Sequence, residues 1–232
     1  MPAEKAPHGT INILLFINVD LTPGALTRSL VTCTEAKTAA LQELVAPSRY
    51  SNGLATGSGT DGTIIVCNPG SSIQLDNAGK HCKLGELIGR AVKAAVKDAL
   101  YLQTGLSPEN QRNVLRRVDR FGITAQSLWD ALGGEKPAGR GKARFWQQLE
   151  TDLCKEEVVA AVSLYVHLMD QINWGLLSPA AAFRAAEPLL DAVCASAPAA
   201  EAEPEEAAAA VEYMTRRLQA CLAARLRQGG QV

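Results

Sequence analysis

Two short runs in this chain concentrate residues whose types and spacing could do chemistry. The first, Thr34-Glu35-Ala36-Lys37-Thr38, carries two hydroxyls, a carboxylate and an amine within one stretch of helical pattern. Thr34, Lys37 and Thr38 stand three and four apart and share a helix face, and Glu35 reaches Thr38 at i+3. The second run, Ala55-Thr56-Gly57-Ser58-Gly59-Thr60-Asp61-Gly62, interleaves glycines with Ser58, Thr60 and Asp61. It satisfies G-x-G-x-x-G literally, but a dinucleotide fingerprint follows a strand and opens a helix whose N-terminus meets the pyrophosphate. These glycines follow a loop and open the β-branched run Thr63–Cys67 (TIIVC), so that reading is rejected. Two readings remain at this level. Either the backbone here approaches a ligand closely, or it forms a tight turn beside a solvated helix face.

The elements that must position these runs follow from periodicity. Thr10 to Val19 (TINILLFINV) is a nearly continuous apolar run and predicts a strand buried on both faces. Thr22-Pro23 opens a helix to about Leu44, with Thr22 as N-cap and Pro23 at the first position. Leu26, Leu30, Cys33, Ala40, Leu41 and Leu44 are expected on its apolar side. Thr63–Cys67 is the second strand. A helix over about 83–103 carries Leu84, Leu87, Ile88, Ala91, Ala95, Ala99 and Leu100 at helical spacing, with His81 just before it. Two strands alone make an incomplete sheet with unprotected edges. The segment therefore calls for strands from another subunit or from a larger domain.

Past Thr104 only helices are expected. They are a helix over about 108–121 opened by Ser107-Pro108, a short one from Thr124, a long one over about 143–174 with a break placed near Cys154, one from Ser178-Pro179, and a last one over about 205–227. Linkers are placed near 133–142 (GGEKPAGRGK) and 195–210, the latter of low complexity and read as a linker or a frayed helix start. His167 and Asp170 are read as structural. The domain reading is an α/β segment over 9–104, a layered mixed sheet with flanking helices, followed by an all-helical region over 105–232.

A net charge of -1 and 5% aromatic residues argue against nucleic acid as a partner. No apolar run approaches the roughly 18 residues that cross a bilayer, and the first residues lack a signal-peptide core. The six cysteines form no C-x-x-C pair and are read as small buried residues in a reduced compartment, with no metal site. The expected location is the cytoplasm.

Four runs, in order, resemble the adenosylcobinamide amidohydrolase family. They are Gly9-Thr10-Ile11-Asn12-Ile13, Thr34-Glu35-Ala36-Lys37-Thr38-Ala39-Ala40-Leu41, Ala55-Thr56-Gly57-Ser58-Gly59-Thr60-Asp61, and Gly79 with Leu84-Gly85-Glu86-Leu87-Ile88-Gly89-Arg90-Ala91-Val92. Ser58 and Gly62 depart from the family's usual threonine and alanine. The family domain usually begins well before the Gly-Thr-Ile-Asn-Ile run, so the resemblance implies an incomplete segment. A truncated product, a mis-set start, or a partner chain or homo-oligomer supplying the missing strands are the alternatives.

The activity implied is hydrolysis of the amide joining the corrin side chain to aminopropanol in adenosylcobinamide. Adenosylcobyric acid is the product, in corrinoid salvage for cobamide (vitamin B12) biosynthesis. The cobalt corrinoid is then substrate, and no cofactor is expected. The resemblance assigns no catalytic residue, but amide hydrolysis needs a base and a proton donor, for which Glu35 or Asp61 is the candidate general base and Lys37 the charge stabiliser or proton donor. Thr38 or Thr60 would orient water or serve as nucleophile. Asn12, Thr34, Thr56, Gly57, Ser58, Gly59 and His81 are candidate substrate contacts. The alternative is a catalytically incomplete corrinoid-binding or accessory subunit.

Overall fold

The computed structural model describes residues 9–132, 140–194 and 203–228, which fall into two units, 1–108 and 109–232. The first is an α/β segment and the second is all helical.

The first unit is a strand–helix–strand crossover. Strand β1 (Asn12–Ile17) leads through the two-residue β2 (Asp20–Leu21) into helix α1 (Pro23–Glu43), which returns the chain to β3 (Gly62–Cys67). β1 and β3 pair in parallel from Asn12↔Gly62 to Ile17↔Cys67. Beyond them β2 pairs in parallel with β4 (Gln74–Leu75), so both described pairings are parallel. Helix α2 (Lys83–Thr104) packs against α1 and closes one face.

Burial along the strands alternates. Ile13, Leu15 and Ile17 turn inward with Ile65 and Cys67 against a core of Ala25, Cys33, Ala36, Ala40, Ile88, Val92 and Val96. Leu14, Phe16, Ile64 and Val66 point out and are exposed. The expectation of a strand buried on both faces is therefore corrected. Only one face is covered, because the described residues of this unit place helices on one side alone.

Helix α1 starts as its sequence dictates, with the Thr22 hydroxyl accepting from the Ala25 N–H at 3.3 Å. Its buried stripe is Ala25, Ser29, Thr32, Cys33, Ala36, Lys37, Ala40 and Leu41, while Leu30 is exposed. Small residues win these positions because α2 approaches closely. The buried hydroxyls are satisfied locally, Ser29 by the Ala25 carbonyl at 2.9 Å and Thr32 by the Ala78 carbonyl at 2.9 Å. On α2 the buried stripe is Gly85, Ile88, Val92 and Val96, and Leu87 faces out. The helix ends on Gly105 in the left-handed region, at φ 71°. Helix α1 ends differently. Val45 takes φ 51°, a conformation that β-branched residues rarely adopt. It redirects the chain into the Pro47–Leu54 bridge, from which the glycine loop departs.

The second unit holds α3 (Val114–Val118), a single 3-10 turn (Asp119–Phe121), α4 (Ala125–Ala131), α5 (Arg140–Asp152), α6 (Glu156–Asn173), α7 (Pro179–Val193) and α8 (Ala207–Gln228). Two expectations change here. Ser107-Pro108 does not open a helix; Asn113 does, its side chain accepting from the Leu115 N–H at 2.8 Å, while the Val114 N–H bonds the Leu153 carbonyl. Residues 140–142, assigned to a linker, are helical, whereas 133–139 and 195–202 lie outside the described residues. The long helix near 143–174 breaks at Leu153–Lys155, at the expected place, and 207–210 take the helix-start alternative. The core gathers Val162, Tyr165, Met169, Phe183, Leu190, Met214 and Leu218. Asp170 takes both guanidinium nitrogens of Arg120 at 2.6 Å in a buried pair, and His167 contacts Gln171.

Cys194 and Cys221 form a disulfide joining the end of α7 to α8. This corrects the reading of all six cysteines as reduced thiols, a reading based on the absence of C-x-x-C spacing. Two helices brought side by side can pair cysteines of any separation, here 27 residues. No helix among the described residues is long and apolar enough to cross a membrane.

Two outcomes follow from this packing. A Cβ on Gly85 would fall on the Gly79 carbonyl, a backbone group that cannot swing aside. Gly85→Ala should therefore destabilise the first unit by about 2 kcal/mol or more, read as a lower urea midpoint. Cys221→Ser should cost the helical unit about 3 kcal/mol, as expected for a loop of this length. Differential scanning calorimetry with and without reductant would show the loss, and a Tm insensitive to both would refute it.

Candidate functional site

Three side chains on two turns of α1 stitch the glycine loop to the helix. Gln42 donates to the Ala55 carbonyl at 3.0 Å. The Thr38 hydroxyl is shared between the Thr34 carbonyl at 3.1 Å and the Thr56 carbonyl at 3.0 Å. Lys37, buried along its stem, ends on Asp61 Oδ2 in an ion pair whose side chains are only 10% and 13% exposed. Helical spacing places Lys37, Thr38 and Gln42 near one another, facing residues 55–61 of the loop.

Asp61 is the centre of this arrangement. Its Oδ2 accepts from Lys37 and from the Ser58 N–H at 3.1 Å. Its Oδ1 accepts from the Ser58 hydroxyl and from the Ile11 N–H at 3.1 Å, which ties the loop to the start of β1. The Thr10 and Thr60 hydroxyls add a second tie at 2.6 Å. Burial pushes the Asp61 carboxyl up, but the hydrogen bonds from Lys37, Ser58 and Ile11 outweigh it and bring its pKa down to about 2. Beneath it, burial raises the pKa of the Cys33 thiol, with Lys37 opposing.

Gly57 has a specific reason to be glycine. A Cβ there would stand 2.5 Å from Asp61 Oδ2 and 3.0 Å from Lys37 Nζ. The loop backbone thus lies directly over the ion pair. Gly59, at φ 81°, turns the chain in the left-handed region. Ser58, Gly59 and Thr60 are exposed above the buried pair. The arrangement offers an accessible hydroxyl held by a carboxylate, with a cation fixed to the same carboxylate.

The other expected residues lie elsewhere. Thr34 is exposed, its hydroxyl turned back to the Leu30 carbonyl at 3.0 Å. Glu35 leaves α1 on the opposite flank, where Oε1 meets Lys80 at 3.2 Å and Oε2 is shielded without a partner among the described residues. Two positions along a helix turn the chain by about 200°, so Glu35 and Lys37 face different neighbours. His81, next to Lys80, is exposed. Asn12 lies on the outward face of β1 beside Gly62, whose Cβ would come within 2.8 Å of Asn12 Oδ1. Sequence reasoning missed Gln42, Thr10 and the Ile11 N–H. Gln42 stands four residues after Thr38, a signal that could have been read; a backbone N–H gives none. The cluster sits at the amino ends of β1 and β3, whereas ligands of open parallel sheets commonly bind at the carboxyl ends.

Residues 2–108 match the model of the adenosylcobinamide amidohydrolase family. Over these residues the chain is similar to that family. An uncharacterized protein of Methanocaldococcus jannaschii is 46% identical over 100 residues, which make up 43% of this chain and 38% of that protein. The chain thus spans well under half the length of the relative it matches. No solved structure matches the chain. The Lys37–Asp61 cluster and its loop fall within the matched residues.

The hydrogen-bonded state of Asp61 makes stability depend on pH. Its folded pKa, about 2, lies below the ordinary 3.8, so its contribution is present above pH 4 and is lost as pH falls towards 2. The shift corresponds to about 2 kcal/mol. Asp61→Asn should remove this part of the acid dependence in chemical denaturation between pH 2 and 5. An unchanged profile would refute the assignment.

Proposed function

We propose that this chain hydrolyses the aminopropanol amide of adenosylcobinamide, releasing adenosylcobyric acid, and that the Lys37–Asp61–Ser58 cluster is its catalytic centre. The observation that carries this reading is the hydrogen-bond relay from the exposed Ser58 hydroxyl to Asp61 and on to Lys37, within the matched residues. The activity places the chain in corrinoid salvage for cobamide biosynthesis.

In this reading Ser58 Oγ adds to the amide carbon while its proton passes to Asp61. At rest Asp61 is a weak base, with its pKa near 2. Its basicity rises as the Lys37 ammonium turns from the carboxylate to the developing oxyanion, so the two charge shifts support each other. The Gly57 and Gly59 N–H groups, unpaired among the described residues, supply further donors for the oxyanion. The carbon–nitrogen bond then breaks, and aminopropanol leaves with the proton held by Asp61. Water cleaves the Ser58 ester by the reverse transfers, giving the corrin carboxylate. The Thr38 hydroxyl and the Thr56 carbonyl fix the loop.

The test is release of aminopropanol from adenosylcobinamide by the purified chain. Ser58→Ala and Asp61→Asn should each lower kcat about 100-fold or more, as losses of nucleophile and base do. Glu35→Gln, on the other flank of α1, should retain activity within about threefold. Folded wild-type protein that releases no aminopropanol, or a Ser58→Ala variant of full activity, would refute the proposal.

A further inference from the structure

Most hydroxyls around the glycine loop are committed to holding it. Thr34 donates to the Leu30 carbonyl, Thr38 is shared between the Thr34 and Thr56 carbonyls, and Ser58 donates to Asp61. Thr10 and Thr60 differ. They are 50 positions apart, both exposed, and meet hydroxyl to hydroxyl at 2.6 Å. The backbone prepares this meeting. The Ile11 N–H reaches Asp61 at 3.1 Å and the Gly62 N–H reaches the Ile11 carbonyl at 3.2 Å, so residues 10–11 and 60–62 are zipped together. The bond itself adds little to stability, because water serves two exposed hydroxyls almost as well.

What the pair offers is hydrogen-bonding capacity. A threonine hydroxyl donates one hydrogen bond and accepts two. One proton lies between the two oxygens. The other proton and the remaining lone pairs stay open, since neither hydroxyl has another partner among the described residues. The pair can therefore donate and accept at once, as a third hydroxyl requires. It also stands close to Ser58. Thr60 is two residues away, at most about 7 Å along the chain. Asp61 in turn holds both the Ser58 hydroxyl and the N–H of the residue after Thr10.

We infer that Thr10 and Thr60 determine specificity for the leaving amine: the pair binds a hydroxyl carried two carbons from the scissile nitrogen, as in aminopropanol. The inference rests on the reaction proposed for Ser58 and adds a substrate class to it, amides of hydroxyalkylamines. The arm from the carbonyl carbon to such a hydroxyl, with a hydrogen bond at its end, covers roughly 7 Å as well. Discrimination is modest because an empty pair returns to water. One neutral hydrogen bond corresponds to about fivefold to tenfold in kcat/KM.

Two corrinoid amides test it, adenosylcobinamide and its analogue with propylamine in place of aminopropanol. Wild-type protein should prefer the first by that factor. Thr10→Val with Thr60→Val keeps the shape and removes both hydroxyls, and should bring the ratio of the two kcat/KM values to about one. Thr60→Ser, which keeps a hydroxyl, should retain the preference. Should the double variant fail to fold, as read by far-ultraviolet circular dichroism, Thr10→Val alone should still lower the ratio. Equal cleavage of both amides by the wild type would overturn the inference and leave the hydrolase reading standing. So would a double variant that slows both amides alike with the preference kept, the mark of a pair that only positions the loop. Folded wild-type protein that cleaves neither amide would refute the reaction itself, and the specificity with it.

Discussion

The ion pair between Lys37 and Asp61 is the constraint on which the first unit's local structure depends. A buried ammonium and a buried carboxylate must meet with good geometry, because either alone would carry several kcal/mol of uncompensated desolvation. Satisfying them fixes the rest in turn. The loop backbone must lie over the pair, so Gly57 can carry no side chain. The second carboxylate oxygen must be filled, so Ser58 and the Ile11 N–H converge on it. The same contacts that hold the pair therefore join α1, the loop and β1, and what they leave exposed is the Ser58–Thr60 tip.

This has a consequence for the division of labour among acidic residues. Asp61 and Glu35 look equivalent in the sequence, each being the carboxylate of one of the two polar runs. Asp61 accepts four hydrogen bonds and is strongly held in its charged form. Glu35 makes one long, partly exposed contact to Lys80, which contributes little at such a surface. Electrostatics thus separate two groups that composition and spacing do not.

The helical unit is organised on a different principle. Its core is a continuous apolar cluster into which a few polar residues are admitted in satisfied pairs, Arg120 with Asp170 and Tyr165 with the Met214 carbonyl. The disulfide ties α8 to α7. No such constraint is needed in the first unit, where small residues on α1 let helix and strands approach and Gly85 lets α2 settle on the Gly79 backbone.

The sequence by itself determined the elements of the first unit and the residues of the loop. The run from Asn12 to Ile17, the Thr22-Pro23 helix start and the TIIVC strand are local signals, in propensity and capping, and they carry directly into structure. The family resemblance rests on the same local runs. The helical half was less legible: Asn113 rather than Ser107 opens α3, because the Leu153 carbonyl takes the Val114 N–H from across the unit. Only the tertiary structure decided that β1 is covered on one face, that Cys194 meets Cys221, and that Lys37 turns to Asp61 while Glu35 turns away. The reason is common to all three. Each depends on which neighbour fills the space beside a residue, and neighbours 24 to 50 positions away leave no periodic trace in the chain.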